Sequence, residues 1–232
     1  MNKLRILVKF PTRERPAKFI DTLLGYQNLS ENPDEIKYLI SKDNDDNSMN
    51  GAFLNGQLME MKNVLVISGY SSNKIHAINR DIGAIYEWDI LVLASDDMIC
   101  QAKGWDNILR EEMRSNFPDT DGVLFHWDGD PATKKHDEGK GLNTMCILGR
   151  KYYERFGYIY HPTYKSLWCD NEFSDVSRML NKEFKSDQVL FKHVHPSNTP
   201  NLVVDKLMRR TQSYFTEDSQ NYYKRKAVNF GL

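Results

Sequence analysis

The chain has 232 residues, of which 40% are hydrophobic and 27% charged, the proportions of a globular protein and not of a disordered or fibrous one. Its 31 basic and 32 acidic residues give a net charge of −1, which excludes a general nucleic-acid coat but leaves room for a local basic patch. Three widely spaced cysteines without a CxxC pair argue against a disulfide scaffold or a zinc finger and favour a reducing compartment. No run approaches the ~20 apolar residues of a membrane span, so we expect a cytoplasmic protein.

Strands and helices alternate through the first half of the chain. Short apolar runs predict strands over 4–10, 36–40, 64–67 and 90–94, and apolar residues three or four apart predict helices over 16–26, 53–61, 74–86 and 105–114. The run ILVLA at 90–94 is the best candidate for a central parallel strand that is covered on both faces. The alternation predicts an α/β fold, a mostly parallel sheet flanked by helices.

The second half of the chain is less regular. We predict strands over 123–127, 142–148 and 189–194, helices over 151–156 and 170–183, and a tail of helical segments over 200–232. Residues 128–141 form a long polar loop, and such loops in compact domains are often functional. The simplest organisation is one domain over 1–200 with a helical C-terminal extension over 201–232.

Polar, charged loops follow each of the first four predicted strands. Their sequences are PTRERP, SKDNDD, SGYSSNK and SDDM. In open α/β sheets ligands bind beyond the carboxyl ends of the strands, so these loops are expected to line one site.

Two adjacent carboxylates, Asp96 and Asp97, come directly after the apolar run at 90–94. Neighbouring carboxylates repel each other and lose solvation, so such a pair normally needs a cation, and oxygen ligands suit Mg²⁺ or Mn²⁺. The alternative is a solvated loop in which Asp97 is stabilised by the N-terminus of the next helix.

These motifs, in this order, resemble those of glycosyltransferases of the GT-A fold, especially the broad family-2-like group, over nearly the whole chain. The resemblance implies a nucleotide-sugar-binding half over about 1–115, an acceptor-binding half over 116–200, and a Mn²⁺ or Mg²⁺ cofactor. It implies a nucleotide-diphosphate sugar as donor, most commonly a UDP-sugar. The positions that match donor-binding positions of the group are Pro11, Thr12, Arg13, Arg15, Asp43 (with Asp45 as substitute), Lys74, Asn79, Ser95 and Asp96, with Arg80 in the same stretch.

Asp97 matches the metal-binding last acid of the group's DxD motif, and Ser95 departs from the motif at its first acid. A cation and nearby Lys or Arg side chains are suited to the reaction because negative charge develops on the departing diphosphate.

The resemblance also implies a catalytic base in the segment WCDNE. Asp170 matches best and Glu172 is the alternative, and a base here implies single displacement with inversion. From the residues alone, Asp170 is equally a helix N-cap. In the segment FKHVHP, His193 and His195 share one side of a strand, where two imidazoles suit a metal such as Mn²⁺. We favour His195 as the ligand, with His193 second and core packing as the alternative.

The acceptor side is expected to include Trp127, Asp128 and Trp168, with residues 128–141 as a lid. Aromatic rings there suit stacking on a sugar or base, although core packing explains Trp127 equally well. The acceptor is a glycan or a modified nucleic acid, the latter because basic and aromatic residues alternate in the tail, where a solvated helix face is the alternative. The sequence leaves the oligomeric state open.

Three rival functions remain. A metal-dependent phosphodiesterase or nuclease would use acid pairs with the HVH segment, but it usually needs more clustered ligands than the sequence offers. A nucleotidyltransferase would begin with a glycine-rich loop, and PTRERP contains no glycine. A non-catalytic nucleotide-sugar-binding module would not need Asp170 and the acid pair in one cleft.

Overall fold

The computed structural model of the protein describes residues 3–195, 198–199 and 203–232. The strands in these ranges are β1 (Ile6–Thr12), β2 (Ile36–Asp43), β3 (Val64–Gly69), β4 (Ile90–Leu93), β5 (Met98–Cys100), β6 (Val123–His126), β7 (Ile147–Gly149), β8 (Glu183–Ser186) and β9 (Phe191–His193). The α-helices are α1 (Pro16–Leu29), α2 (Ala52–Glu60), α3 (Lys74–Asn79), α4 (Trp105–Asn116), α5 (Pro131–Lys135), α6 (Arg150–Phe156), α7 (Cys169–Met179), α8 (Lys206–Gln212) and α9 (Phe215–Lys226).

Seven strands form one sheet in the order β3-β2-β1-β4-β7-β6-β8, and β5 pairs with β9 in a second, two-stranded sheet. The first four strands of the chain are parallel, β7 is antiparallel to both of its neighbours, and β6 is parallel to β8. The predicted α/β fold, with a mostly parallel sheet, flanking helices and a helical C-terminal part, is confirmed.

The apolar run at 90–94 forms β4 at the centre of the sheet, and all four residues of the strand are buried. It is parallel to β1 but antiparallel to β7, so the expectation of a parallel strand holds on one side only. One apolar cluster, with Phe19 and Trp105 from α1 and α4, covers one face of the sheet, and a second cluster, with Ile75 and Phe173 from α3 and α7, covers the other.

The predicted helix over 74–86 is shorter in the structure. It ends at Asn79 because Arg80 is extended and Asp81 adopts a left-handed conformation with φ 71°. This turn directs the Arg80 carbonyl toward the ammonium of Lys9, which is fully buried in β1 and donates to it over 2.8 Å. Burial lowers the pKa of Lys9 to about 7. A polar network therefore lies under the carboxyl ends of β1 and β2.

Short elements account for the other differences. The predicted strand over 142–148 is reduced to β7, and the loop over 128–141 contains the helix α5. The strands β5 and β8 were not predicted, because three or four residues carry too little alternation to be recognised.

The extension contains α8 and α9, as expected, and residues 200–202 lie outside the described part of the chain. At the start of α8, Asp205 accepts two hydrogen bonds from Arg15, of 2.8 and 2.9 Å. In α9, the buried Asp218 accepts three from the backbone of residues 165–167. The extension thus contacts both halves of the domain. Within the described ranges, no helix is long and apolar enough to cross a membrane.

Candidate active site

The loops after β1, β2 and β4 meet at one edge of the sheet. Arg13 in the first loop donates to Asp43 at the end of β2 over 2.9 Å and to the exposed Asp45 over 2.8 Å. Arg15 donates to Asp96, which follows β4, over 3.0 Å. The structure therefore brings together side chains that lie up to 81 positions apart in the sequence.

Asp43 and Arg13 both keep an unused hydrogen-bonding atom. Asp43 is buried, yet its Oδ1 has no hydrogen-bond partner among the described residues, and the same is true of Nε of Arg13. The guanidinium of Arg80 lies 3.7 Å from Asp43 Oδ1, beyond hydrogen-bond length. Buried polar atoms without partners are rare in native proteins, so these two are candidates for contacts with a ligand. Pro11 and Thr12 extend β1 and flank this position from the backbone.

Arg15 connects Asp96 to the extension. Its guanidinium is only 10% exposed and also binds Asp205. Burial and the neighbouring charge of Asp97 raise the pKa of Asp96, and Arg15 opposes this shift. Arg15 therefore links Asp96 to Asp205. Of the two neighbouring acids, Asp96 and Asp97, it is Asp96 whose negative charge is less well stabilised.

Asp97 is the better stabilised acid. It accepts a hydrogen bond from the hydroxyl of Ser95, and its Oδ2 lies 3.7 Å from Nε2 of His193. Burial alone would raise the pKa of Asp97, but the contacts with His193 and Ser95 hold it well below its ordinary value. The carboxylate stays ionised, and Ser95, where the sequence departs from a DxD pattern, contributes to this.

His193 reaches Asp97 because β5 and β9 pair. Met98, directly after the acid pair, lies opposite His193 in this antiparallel ladder, and the N–H of Val194 donates to the Asp97 carbonyl over 2.8 Å. The sequence places these residues almost a hundred positions apart, and the pairing of two three-residue strands is what joins them.

Asp128 lies behind His193. Its Oδ2 is 3.8 Å from Nδ1 of His193, and its oxygens accept hydrogen bonds of 2.6 and 2.7 Å from the hydroxyls of Thr133 and Thr144. Burial would lower the pKa of His193, but Asp97 and Asp128 raise it. The sequence assigned Asp128 to the acceptor. The geometry instead gives it the position of a buried orienting group, because it is only 2% exposed and bound to its own loop.

His195 lies beside His193, with 5.4 Å between the ring centroids. Burial and the proximity of His193 lower its pKa, which favours the neutral imidazole that binds metals. Asp97 acts on both histidines, since its charge raises the pKa of His193 and opposes the fall in the pKa of His195.

The metal-ligating side chains fit a divalent cation whose remaining coordination positions are filled by the substrate. Asp97 and His193 present a carboxylate oxygen and an imidazole nitrogen to each other, a pair that suits Mn²⁺. In the part of the chain that the structure describes, no group of three or more His, Cys, Asp or Glu side chains is arranged to hold an ion. Two protein ligands leave coordination positions for water and for phosphate oxygens, as Mg²⁺ and Mn²⁺ sites commonly do.

Lys74 and Asn79, both predicted to bind the donor, have different environments. The positive charge of the exposed Lys74 helps to hold down the pKa of Asp97 and opposes the rise that burial causes in the pKa of Asp170, so it lies near both. Asn79 accepts hydrogen bonds of 3.0 and 3.2 Å from the N–H groups of residues 159–160 and donates one of 2.7 Å to the carbonyl of residue 160. Because both polar atoms of its amide are bound to this loop, the geometry assigns Asn79 to the fold and not to the donor.

Asp170 is the second residue of α7 and not its N-cap. The cap position belongs to Trp168, so the capping alternative for Asp170 is wrong. Burial raises the pKa of Asp170, and the charge of Lys74 opposes the shift. A partly buried carboxylate with a raised pKa is the form expected of a general base.

Glu172 is buried and hydrogen-bonded within the fold. It is 5% exposed, it accepts two hydrogen bonds of 2.6 and 2.8 Å from Arg225, and it accepts a third of 2.8 Å from the Tyr164 hydroxyl. With its oxygens bound to α9 and to Tyr164, Glu172 is not placed to receive a proton from an acceptor. This removes the alternative base that the sequence offered.

Replacing Glu172 with glutamine is expected to lower the free energy of unfolding by about 3 kcal/mol, because Arg225 then keeps a largely buried charge without a counter-charge. Turnover by the folded protein should change little. Urea unfolding followed by circular dichroism, with activity measured below the transition, checks both. Asp175→Asn is the matched control, since its ion pair with the half-exposed Lys226 should contribute only about 1 kcal/mol. A loss of turnover in the folded Glu172→Gln protein would return Glu172 to the catalytic residues.

The loop over 128–141 folds back toward the start of α7. Nε2 of His136 lies 3.1 Å from Nδ2 of Asn171, and burial raises the pKa of the adjacent Asp170 against a small opposing effect of His136. The sequence did not point to His136, because a histidine in a polar loop carries no periodic signal. Trp127 is engaged by the same loop: its indole N–H donates to the Asp130 carbonyl over 2.9 Å. The half-buried indole also has the Lys134 ammonium 4.6 Å over its ring, so it is held by contacts within its own loop.

Comparison with solved structures places the fold among GT-A glycosyltransferases. The chain is similar to the mannosyltransferase PcManGT of Pyrobaculum calidifontis, solved with GDP-Man and Mn²⁺, with a TM-score of 0.64 and 13% identity. It is also similar to S. aureus TarS 1–349, solved with UDP, with a TM-score of 0.62 and 16% identity. The match covers 83% and 84% of this chain, but only 57% and 62% of those two chains.

The protein therefore has the GT-A type of glycosyltransferase fold. No family model matches the chain, and no curated protein matches it. At these identities the likeness concerns the fold, and the activity must be argued from the site.

Proposed function

We propose that the protein transfers a sugar from a nucleotide-diphosphate sugar to an acceptor hydroxyl, by single displacement with inversion. The observation that carries the proposal is that the start of α3 is hydrogen-bonded to the segment before α7, from the Ile75 N–H to the Lys165 carbonyl over 3.3 Å. The charge of Lys74 at this start acts on two carboxylates, Asp97 after β4 and Asp170 in α7. Leaving-group stabilisation and proton removal need groups of these three kinds.

The loops after β1 and β2 would bind the nucleoside. The unpartnered oxygen of the buried Asp43 accepts from a ribose hydroxyl or a base N–H, and Nε of Arg13 remains available as a donor. UDP is the first nucleotide to test. Asp96 would bind the ribose or the metal, and Ser95 would line the donor site beside it.

Asp97 and His193 would hold a Mn²⁺ or Mg²⁺ ion, with His195 as the alternative ligand. When bound, the ion supplies positive charge to the diphosphate oxygens. Lys74 places an ammonium group near the same carboxylate, where it stabilises the negative charge that develops on the departing nucleoside diphosphate.

Asp170 would accept the proton of the acceptor hydroxyl. As the acceptor oxygen forms its bond to the sugar carbon, the bond from that carbon to the phosphate oxygen breaks and the nucleoside diphosphate leaves with the electron pair. Attack from the face opposite the leaving group inverts the configuration. Burial raises the pKa of Asp170, which strengthens it as a base.

The rival hydrolase and nuclease functions gain no support from the described residues, which contain no cluster of three ligating side chains. A two-metal site would need more ligands than Asp97, His193 and His195. A module that only binds nucleotide-sugars would have no use for a buried carboxylate such as Asp170.

A thermal-shift panel of nucleotide-sugars, with and without Mn²⁺, tests the proposal. A donor is expected to raise the melting temperature in the presence of the cation and to have little effect in EDTA. The free nucleoside diphosphate should also bind, and inorganic phosphate serves as the negative control. If no nucleotide-sugar shifts the transition with Mn²⁺ or Mg²⁺ present, the proposed donor is wrong.

A further inference from the structure

Trp168 has an unusual backbone conformation for a bulky residue. Its φ is 62°, in the left-handed region where a side chain of this size is rare and costly. The residue is half-buried and stands two positions before Asp170, at the start of α7. Strain of this kind persists only where the surrounding structure fixes it.

The extension supplies the groups that fix it. Asp218 in α9 is 1% exposed, and its carboxylate accepts hydrogen bonds of 2.9, 2.8 and 2.8 Å from the N–H groups of Lys165, Ser166 and Leu167. These three residues lead directly into Trp168. The buried carboxylate therefore holds the segment in the one path that gives Trp168 its conformation.

The same helix surrounds the Trp168 side chain with aromatic rings. The ring centroids of Tyr222, Phe215 and Tyr223 lie 5.3, 5.6 and 5.7 Å from that of Trp168. Tyr222 is buried, whereas Phe215 is 46% exposed and Tyr223 is 61% exposed. The planes of Phe215 and Tyr223 are inclined to that of Trp168 by 64° and 54°. We call Trp168, Phe215 and Tyr223 the aromatic corner; the last two rings are both inclined to that of Trp168, so neither forms a flat stack with it.

The cations around the aromatic corner are mostly neutralised. Lys165 pairs with Glu217 over 2.6 Å, Lys226 pairs with Asp175 over 2.9 Å, and Arg225 is bound to Glu172. The exposed Lys224 adds one positive charge, whereas binding of a polyanion is driven by many such charges. The charge distribution therefore favours a neutral ligand over a nucleic acid.

From these observations we infer that the aromatic corner of Trp168, Phe215 and Tyr223 is an acceptor subsite that packs against a sugar ring of a neutral carbohydrate. The inference rests on the proposed function and names the class of acceptor. A saturated sugar ring presents C–H groups in several directions and fits inclined rings, whereas a flat base stacks on one plane. Only one residue separates Trp168 from Asp170, so the aromatic corner and the proposed base both belong to the N-terminal end of α7.

Isothermal titration with neutral tetrasaccharides tests the inference. The probes are cellotetraose, chitotetraose, maltotetraose and mannotetraose, with a 20-nucleotide oligothymidylate as the polyanion. At least one sugar is expected to bind the full chain, and the double variant Phe215→Ala, Tyr223→Ala should weaken that binding about tenfold or more. Tyr86→Ala removes a ring that is 80% exposed elsewhere on the surface and should leave binding unchanged.

Three results would overturn the inference: no tetrasaccharide binds, binding is unaffected in the double variant, or the oligonucleotide binds in place of the sugars. Circular dichroism of the double variant shows whether it is folded, and both substituted residues are exposed. Thermal shift with nucleotide-sugar and Mn²⁺ on the same samples separates the two proposals. If the nucleotide-sugar binds but no tetrasaccharide does, only the inference about the aromatic corner is contradicted. If the wild-type protein binds no nucleotide-sugar, the proposed function is contradicted.

Discussion

Asp97→Ala is expected to abolish sugar transfer, with a fall in kcat/KM of about a thousandfold or more. Burial would raise the pKa of Asp97, but His193 and Ser95 hold it low, which favours the charged carboxylate that a divalent ion needs. Removing it takes away the carboxylate that would hold the divalent ion and leaves His193 facing Asp128 alone. Mn²⁺ titration followed by electron paramagnetic resonance, beside a transfer assay, measures both losses.

Asp119→Ala is the matched control for this experiment. Asp119 is an exposed carboxylate before β6, at the opposite end of the sheet, and its partner is the exposed Lys151. It should leave transfer and metal affinity unchanged. Full activity of the Asp97→Ala protein in EDTA would show that neither the residue nor a cation takes part.

Asp170→Asn is expected to lower kcat by about a thousandfold, the size of a lost general base, while the KM for the donor changes little. Asparagine keeps the shape and the contact with the Asn171 N–H but cannot accept a proton at neutral pH. Single-turnover kinetics with saturating donor separate the chemical step from binding.

The pH profile supplies the second measurement on Asp170. The base acts when deprotonated, so transfer by the unchanged protein should fall as the pH drops through the raised pKa of Asp170. The Asp170→Asn protein should lack this acid limb. An equal loss of turnover in the folded Glu172→Gln protein, or a wild-type rate in Asp170→Asn, would contradict the assignment of the base.

Much of the fold follows from the sequence, because long apolar runs and helical spacing specify β1 to β4, α1 and α4. The loops after these strands could be placed at one edge without coordinates, since parallel strands end on the same side. The contact of His193 with Asp97 could not be predicted from the sequence in this way. It depends on β5 and β9, which are too short to show a period, although the two-residue spacing of His193 and His195 gave a hint.

Side-chain roles were harder to predict than positions. Asn79, Asp128 and Glu172 are all of residue types that bind substrates, and each is occupied by hydrogen bonds within the fold. A sequence gives the chemistry of a side chain but not its direction, and direction decides between these roles. The neighbours of a polar residue in space, such as Arg225 for Glu172, come from distant parts of the chain.

The basic and aromatic residues of the tail separate in the structure. The start of α8 is tied to Arg15 through Asp205, on the side of the domain where the loops after β1 and β4 meet. The aromatic residues of α9 instead pack around Trp168. The alternation that suggested a nucleic-acid surface is therefore divided between two places.

The attachments of the extension also bear on how the chain folds. Asp205 meets Arg15 across 190 positions, and Asp218 meets Lys165 across 53, so each contact closes a long loop. Such closures carry a large entropic cost and form late in folding. During synthesis, the strands around β4 leave the ribosome well before α9, and the path of the backbone into Trp168 is set only when α9 arrives. The sheet and its first loops should thus be assembled before the protein gains the ability to align an acceptor.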